Sequence, residues 1–322
     1  MPYKPFYNLK TEPFANTPAQ RLYFPSQEHE RVLTRLRFAV EGAKGLSVCV
    51  GAPGTGKTTV SRRLLDSLGE DSYQAAMLVI IHSGVDTAWL LRRIALQLGI
   101  KNPPADKMGL VSQLYRQLIR IYEEGRRAVV LIDEAQLLRS REIMEELRGL
   151  LNLEATGRKL LNVVLFGLPD LDEALKLDEA LRQRVAVHCA LKALPSDASG
   201  GYVLHRLKLA GAPRPILSSE ALKLVCEVSG GVPRIINTLC DNLLFEGAVA
   251  KKESIDSAFV RAVAEELGLI RETPEPAAAA EPQSLPETSA SSRQDPATPE
   301  NAASPHDDLA DIDRLLAQLD RY

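Results

Sequence analysis

The stretch Gly51-Ala52-Pro53-Gly54-Thr55-Gly56-Lys57-Thr58, with Thr59 behind it, has the residue types and spacing of a cradle for polyphosphate. Three glycines let the backbone turn tightly enough for successive N–H groups to converge on phosphate oxygens, at the positive end of the helix that follows. Lys57 can reach β- and γ-phosphates, and the Thr58 hydroxyl can take a coordination position on Mg²⁺. Such a loop must follow a strand and open a helix. Both conditions are met: the apolar run 46–50 precedes it, and a helical pattern continues through Leu68. The competing reading, a glycine-rich turn with a chance lysine, does not account for that context.

A second apolar run, 128–132, ends in Asp133-Glu134-Ala135-Gln136. It reads as a fully buried strand. Asp133 at its tip is suited to holding Mg²⁺ through water, and Glu134 to polarising a water for in-line attack on a γ-phosphate. The plainer alternative is a helix N-cap with acidic first-turn residues. Together with the glycine loop, the pair points to hydrolysis of a nucleoside triphosphate such as ATP.

The chain of 322 residues has room for a multilayer α/β unit and a second compact piece. No apolar run approaches the roughly 20 residues a membrane helix needs. The opening Met1-Pro2-Tyr3-Lys4-Pro5 lacks the charged-then-apolar form of a signal peptide, so a cytoplasmic location is the expectation. Cys49, Cys189, Cys226 and Cys240 have no metal-type spacing and lie in apolar segments, which predicts reduced core residues. The five histidines are not closely spaced, and no Ser, His and Asp nucleophile arrangement stands out.

Charge is unevenly distributed. From Glu272 onward there are 11 acidic and 3 basic residues, a net −8, which leaves +5 on the remainder of a chain whose formal net charge is −3. A mildly basic body is compatible with nucleic acid without demanding it. The Pro-, Ala-, Glu-, Ser- and Thr-rich stretch 272–306 reads as a disordered linker. In 307–322, Leu309, Ile312, Leu315, Leu316 and Leu319 share one face of a short helix, either a docking peptide for another protein or a segment that packs back on its own body.

The elements that position the two motifs alternate. Strands are predicted at 46–50, 75–82, 128–132, 160–166 and 185–191, with helices at 61–68, 87–98, 108–123 and 141–153. That alternation specifies a doubly wound parallel α/β sheet, with nucleotide at the C-terminal ends of its strands. Beyond Leu194-Pro195 only helical patterns remain, at 202–209, 219–228, 234–250 and 255–267, broken at Gly211-Ala212-Pro213 and Gly230-Gly231-Val232-Pro233. The expected organisation is a P-loop unit over 1–194, a small helical lid over 195–271, then the acidic linker and terminal helix.

A P-loop unit followed by a helical lid resembles the AAA+ ATPases, and within them the ExeA/GspA (general secretion pathway protein A) type, related to TniB/TnsC-like transposition ATPases. The resemblance covers about Phe6 to Leu269. It rests on Phe6-Tyr7-Asn8-Leu9, Glu12-Pro13-Phe14, Leu22-Tyr23-Phe24 and Glu28-His29-Glu30 in order, then Leu131-Ile132-Asp133-Glu134-Ala135-Gln136, Val164-Leu165-Phe166-Gly167-Leu168-Pro169-Asp170-Leu171 and Gly230-Gly231-Val232-Pro233-Arg234-Ile235-Ile236-Asn237.

The resemblance implies that Arg184 is the arginine finger that meets the γ-phosphate of a neighbouring subunit, with Arg182 its rival, and hence that the protein is a homo-oligomer. It implies that Arg234, in the first turn of a helix whose dipole it opposes, is the sensor 2 lid arginine on bound nucleotide. The sensor 1 position departs from the pattern: Gly167-Leu168 stands where a polar residue orients the attacking water, so Asn162 or a backbone group must substitute, or hydrolysis is slow. Pro13, Phe14, Tyr23 and Phe24 offer apolar surface for an adenine pocket or for core packing.

Three function classes remain. The favoured one is an oligomeric ATPase that uses ATP and Mg²⁺ to assemble or remodel a bacterial secretion, pilus or polysaccharide-export apparatus, with protein partners of that envelope system. An ATP-switched DNA binder of transposition or replication type is the alternative, disfavoured because acidic sequence rather than a DNA-reading domain follows the lid. An idle scaffold is argued against by an intact Glu134.

Overall fold

The strands are β1 Leu46–Gly51, β2 Tyr73–Val79, β3 Arg127–Asp133, β4 Leu161–Gly167 and β5 Val185–Leu191. The structure, a computed structural model, describes residues 3–16 and 20–270. All five strands pair in parallel, in the order β2-β3-β4-β1-β5. Central strands of such a sheet are covered on both sides, so their sequences are continuously apolar rather than alternating. β1 and β4 are buried along their whole length, whereas edge strand β5 alternates Val187, Cys189 and Leu191 inward with Ala186, His188 and Ala190 outward.

Around the sheet run α1 Gln27–Glu41, α2 Lys57–Ser67, α3 Thr87–Gln97, α4 Lys107–Glu123, α5 Arg141–Leu150, α6 Asp170–Leu175 and α7 Glu179–Arg182. The strand period of two sends neighbouring residues to opposite faces. Val130, Ile132, Val163 and Leu165 pack under α3 to α7, while Val129, Leu131, Val164 and Phe166 pack under α1 and α2.

Four further helices, α8 Ser196–Leu209, α9 Ser219–Ser229, α10 Pro233–Val249 and α11 Ser257–Glu266, enclose a separate apolar cluster. Tyr3, Tyr7, Leu9 and Phe14 from the start of the chain belong to that cluster, not to the sheet. The Tyr7 hydroxyl donates to the Lys252 carbonyl at 2.9 Å, and the Lys10 amide to Ala210 at 2.8 Å.

Several boundaries differ from expectation. β2 ends at Val79 instead of 82 because its partner β3 ends at Asp133, whose carbonyl takes the last bond, from the Ile80 amide at 3.1 Å. α5 stops at Leu150 because the chain enters a two-stranded hairpin, Glu154–Ala155 against Arg158–Lys159, turned by left-handed Thr156 and Gly157. α8 starts at Ser196, through Gly200 and Gly201; a Cβ at Gly201 would sit 3.5 Å from the Phe24 ring. α1 was not among the predicted helices.

No described helix is long and apolar enough to cross a membrane. All four cysteines are free and buried, and burial pushes their thiols above the ordinary range. The linker and terminal helix predicted over 272–322 lie outside the described residues.

Candidate nucleotide-binding and hydrolysis site

β1 delivers the chain to Gly51 at the C-terminal edge of the sheet, between β4 and β5, where the strand order reverses direction. The glycine loop turns there, with Gly54 and Gly56 at φ 78° and 103°. These values suit glycine, and the space is as restrictive as the angle. A Cβ on Gly54 would lie 2.8 Å from the Arg234 Cβ, and one on Gly56 2.6 Å from His29 Nε2.

The start of α2 has no side-chain cap, a lack it shares with the helices that begin at Asp170, Ser196 and Pro233. Ser26, Asp86, Asp106, Ser140, Ser218 and Asp256 cap their helices with side-chain oxygens, but the N-cap of α2 is Gly56, which offers none. Its first N–H groups therefore face the loop without an acceptor. An anion is the natural partner for that array.

Lys57, only 7% exposed, donates through Nζ to the carbonyls of Gly51 at 2.9 Å and Ala52 at 3.1 Å. Burial pulls its ammonium below the ordinary lysine range, with Glu134 and Asp133 opposing. Asp133 is 2% exposed and burial raises its carboxyl, opposed by the Thr58 hydroxyl, which donates to Oδ2 at 2.7 Å. A buried carboxylate next to a hydroxyl is a hard-oxygen donor set, and a Mg²⁺ ion held there would neutralise charge that burial disfavours. The residues thus fit both a polyphosphate and its metal.

Glu134 follows in the left-handed region, φ 56°, with its N–H donated to Asp133 Oδ1 at 3.0 Å. Its carboxylate accepts from Gln136 Nε2 at 2.6 Å. Opposite, Gly231 crosses beneath Leu194 and its carbonyl takes the Leu194 amide at 2.9 Å, so that α10 begins at Pro233 directly above the glycine loop. The Arg234 amide donates to Gly54 at 3.3 Å. The resulting cleft, about 260 Å³, is lined by Gly54, Gly56, Lys57, Thr58, Thr59, Glu134 and Arg234.

A smaller hollow adjoins it, lined by Tyr23, Phe24, His29, Thr59, Leu194 and Tyr202. Pro13 and Phe14 do not line it; Phe14 is packed among the C-terminal helices. Arg206, which lines both spaces, was not anticipated. It is 7% exposed, stacks over Tyr202 at 4.9 Å and donates through Nη1 to the carbonyls of Pro13 and Ala15 and to Asn237 Oδ1. Nothing in its local sequence, Leu204-His205-Arg206-Leu207, distinguishes it from an ordinary helical arginine.

The AAA domain family matches residues 40–175. General secretion pathway protein A of Aeromonas hydrophila is 33% identical over 273 residues, 84% of this chain and 49% of that protein. Residues 40–175 thus carry an AAA domain, and the chain is similar to general secretion pathway protein A. It spans about half the length of that relative. Among solved structures, the Aeropyrum pernix ORC2 protein, solved as ADPNP–ADP complexes, superposes with a TM-score of 0.61 at 16% identity, over 80% of this chain and 72% of that one. Drosophila ORC bound to DNA gives 0.61 at 17% identity, over 83% and 66%. These last two establish the shared fold.

Within this AAA domain the expected arginines separate. Arg234 sits at the cleft, but Arg184 stands just before β5, whose first residue pairs with Leu46 at the start of β1. The glycine loop is at the other end of β1, roughly 20 Å away. Arg184 donates to the Arg148 carbonyl at 3.3 Å and to Asn152 Oδ1. Its rival Arg182 is held by Glu179 through two bonds, 2.6 and 2.7 Å. Asn162 is excluded as the water-orienting group, since its Oδ1 accepts the Gly45 amide at 3.2 Å, at the far end of the sheet.

His29 braces the loop from below. Ser26 Oγ lies 2.5 Å from Nδ1, and Nε2 lies 3.2 Å from the Thr55 carbonyl, so Nε2 carries the proton and Nδ1 accepts. Burial lowers the folded imidazole's pKa, with Thr55, Glu30 and Glu28 opposing. The unfolded chain takes up a proton near pH 6.5 that the folded one refuses. Stability from this residue is therefore full above that value and is lost as pH falls toward the folded pKa. Thermal denaturation between pH 7.5 and 5.5 should show a fall in Tm for the wild type that is shallower in His29→Gln; parallel profiles would remove the assignment.

Proposed function

We propose that this protein binds and hydrolyses ATP with Mg²⁺ as a homo-oligomer, in the cytoplasm, and uses the resulting motion to assemble or remodel a bacterial secretion, pilus or polysaccharide-export apparatus. The observation that carries the catalytic part is the glycine-turned start of α2, with buried Lys57 and with Thr58 hydrogen-bonded to Asp133, lining one cleft with Glu134. The secretion-related part rests on the relative whose printed name places it in general secretion.

In this reading the amides of Gly54 to Thr59 and the Lys57 ammonium bind the phosphates, while Thr58 and Asp133 hold Mg²⁺. When bound, Mg²⁺ would supply neutralisation of the phosphate charge. Glu134 takes a proton from the attacking water. Arg234, on the helix whose first amide touches Gly54, passes the state of the cleft to the C-terminal helices. Arg184 completes the neighbouring subunit's site.

Ligand at a hundred times its Kd stabilises by about 2.7 kcal/mol, so ATP with Mg²⁺ should raise Tm by roughly 5–10 °C. An unchanged Tm, with no heat in calorimetry, would end the reading. ATPase assays with and without duplex DNA test the alternative: strong, salt-sensitive stimulation by DNA would move the protein to the DNA-binding class.

A further inference from the structure

With no polar side chain after β4 to orient the attacking water, the hydrolytic reading above, on which this inference rests, depends the more on how the water-activating carboxylate is held. Gln136 is 4% exposed and bridges the gap. Its Nε2 donates to Glu134 Oε2 at 2.6 Å, and its Oε1 accepts the Leu168 amide at 3.0 Å. The orientation of the carboxamide is unambiguous. A flipped amide would set oxygen against carboxylate and NH₂ against N–H, losing both bonds.

Gly167 shows why the usual position is vacated. A Cβ there would lie 2.9 Å from Gln136 Oε1, 3.2 Å from the Gln136 amide nitrogen and 3.1 Å from Leu171 Cδ2. Its φ is not in the left-handed region, so glycine serves for room and not for conformation. Glu134 does have a left-handed backbone, uncommon for a residue with a Cβ, and is held there by Asp133 on its N–H and by Gln136 on its carboxylate.

We propose that Gln136 is the positioning residue for Glu134: its carboxamide, strung between the Glu134 carboxylate and the Leu168 amide at the tip of β4, orients the carboxylate where Gly167-Leu168 offers no polar side chain to orient the water. With Oε2 engaged, Oε1 of Glu134 is the oxygen left to take the proton of water. Leu168 lines the cleft, so displacement of the β4 tip reaches the carboxylate through a single side chain.

Gln136→Ala is expected to lower kcat about 10- to 100-fold while the Kd for ATP stays within about twofold of wild type. Gly167→Ala, which crowds Oε1 together with the Gln136 backbone nitrogen and Leu171, should lower kcat in the same direction by less, and adding it to Gln136→Ala should cost less than it does in the wild type. Gln136→Asn, one methylene shorter, spans neither bond fully and should not restore the rate. A wild-type kcat in Gln136→Ala, or equal losses of kcat and ATP affinity, overturns the proposal. A wild type that binds ATP and never cleaves it removes the hydrolytic reading instead. Gln136 is then judged by a crystal structure of the Gln136→Ala protein: Glu134 displaced supports the proposal, and Glu134 unmoved overturns it.

Discussion

Replacing Glu134 with glutamine is expected to slow ATP cleavage by at least about a hundredfold while leaving the Kd for ATP with Mg²⁺ within about twofold. The reason is local. The substitution keeps size, keeps the backbone N–H on Asp133, and still offers Gln136 an oxygen to bond, so the cradle is undisturbed. Only the basicity needed to accept a proton from water is lost. Because cleavage would normally reset the subunit, the variant should also remain in its ATP-bound assembled form. Size-exclusion chromatography with ATP should show a persistent oligomer, and single-turnover cleavage gives the rate. A variant that cleaves at the wild-type rate would show that Glu134 is not the base.

Arg184→Ala is expected to reduce turnover by about 10³-fold with little loss of ATP binding. The distance from Arg184 to its own glycine loop makes help within one subunit geometrically impossible, so any catalytic role must be played toward another copy. This gives a discriminating experiment. Lys57→Ala removes the cradle's ammonium but leaves Arg184 in place. Mixed with Arg184→Ala subunits, it should restore activity that neither variant has alone. Mixtures as inactive as their components would remove the shared site.

What could be read from the chain was whatever local pattern controls. The central strands β1, β3 and β4 lie in mostly apolar runs such as Val129-Val130-Leu131-Ile132, buried on both faces, and the glycine loop sits where strand and helix signals meet. α1 was legible but overlooked: Ser26 caps it, and Val32, Leu33, Leu36, Ala39 and Val40 recur at helical spacing. The start of α8 was obscured because glycine disfavours a helix interior, yet the helix runs through both Gly200 and Gly201.

Contacts between distant parts of the chain left no such mark. Arg206 reaches Pro13 and Ala15 from nearly two hundred positions away. Asn162 invited a role by its type and strand, but register puts it at the wrong end of the sheet. The role inferred for Gln136 needed the Leu168 amide in view.

The placement of cradle and Arg184 at opposite ends of parallel strands has a geometric corollary. If Arg184 serves another copy, successive copies related by the same operation would stack head to tail, each giving a guanidinium in one direction and receiving one from the other. A short open row of this kind always has a terminal member with no donor behind it. Only closure into a ring, or growth into a long helical filament, makes that unserved position vanish or become negligible.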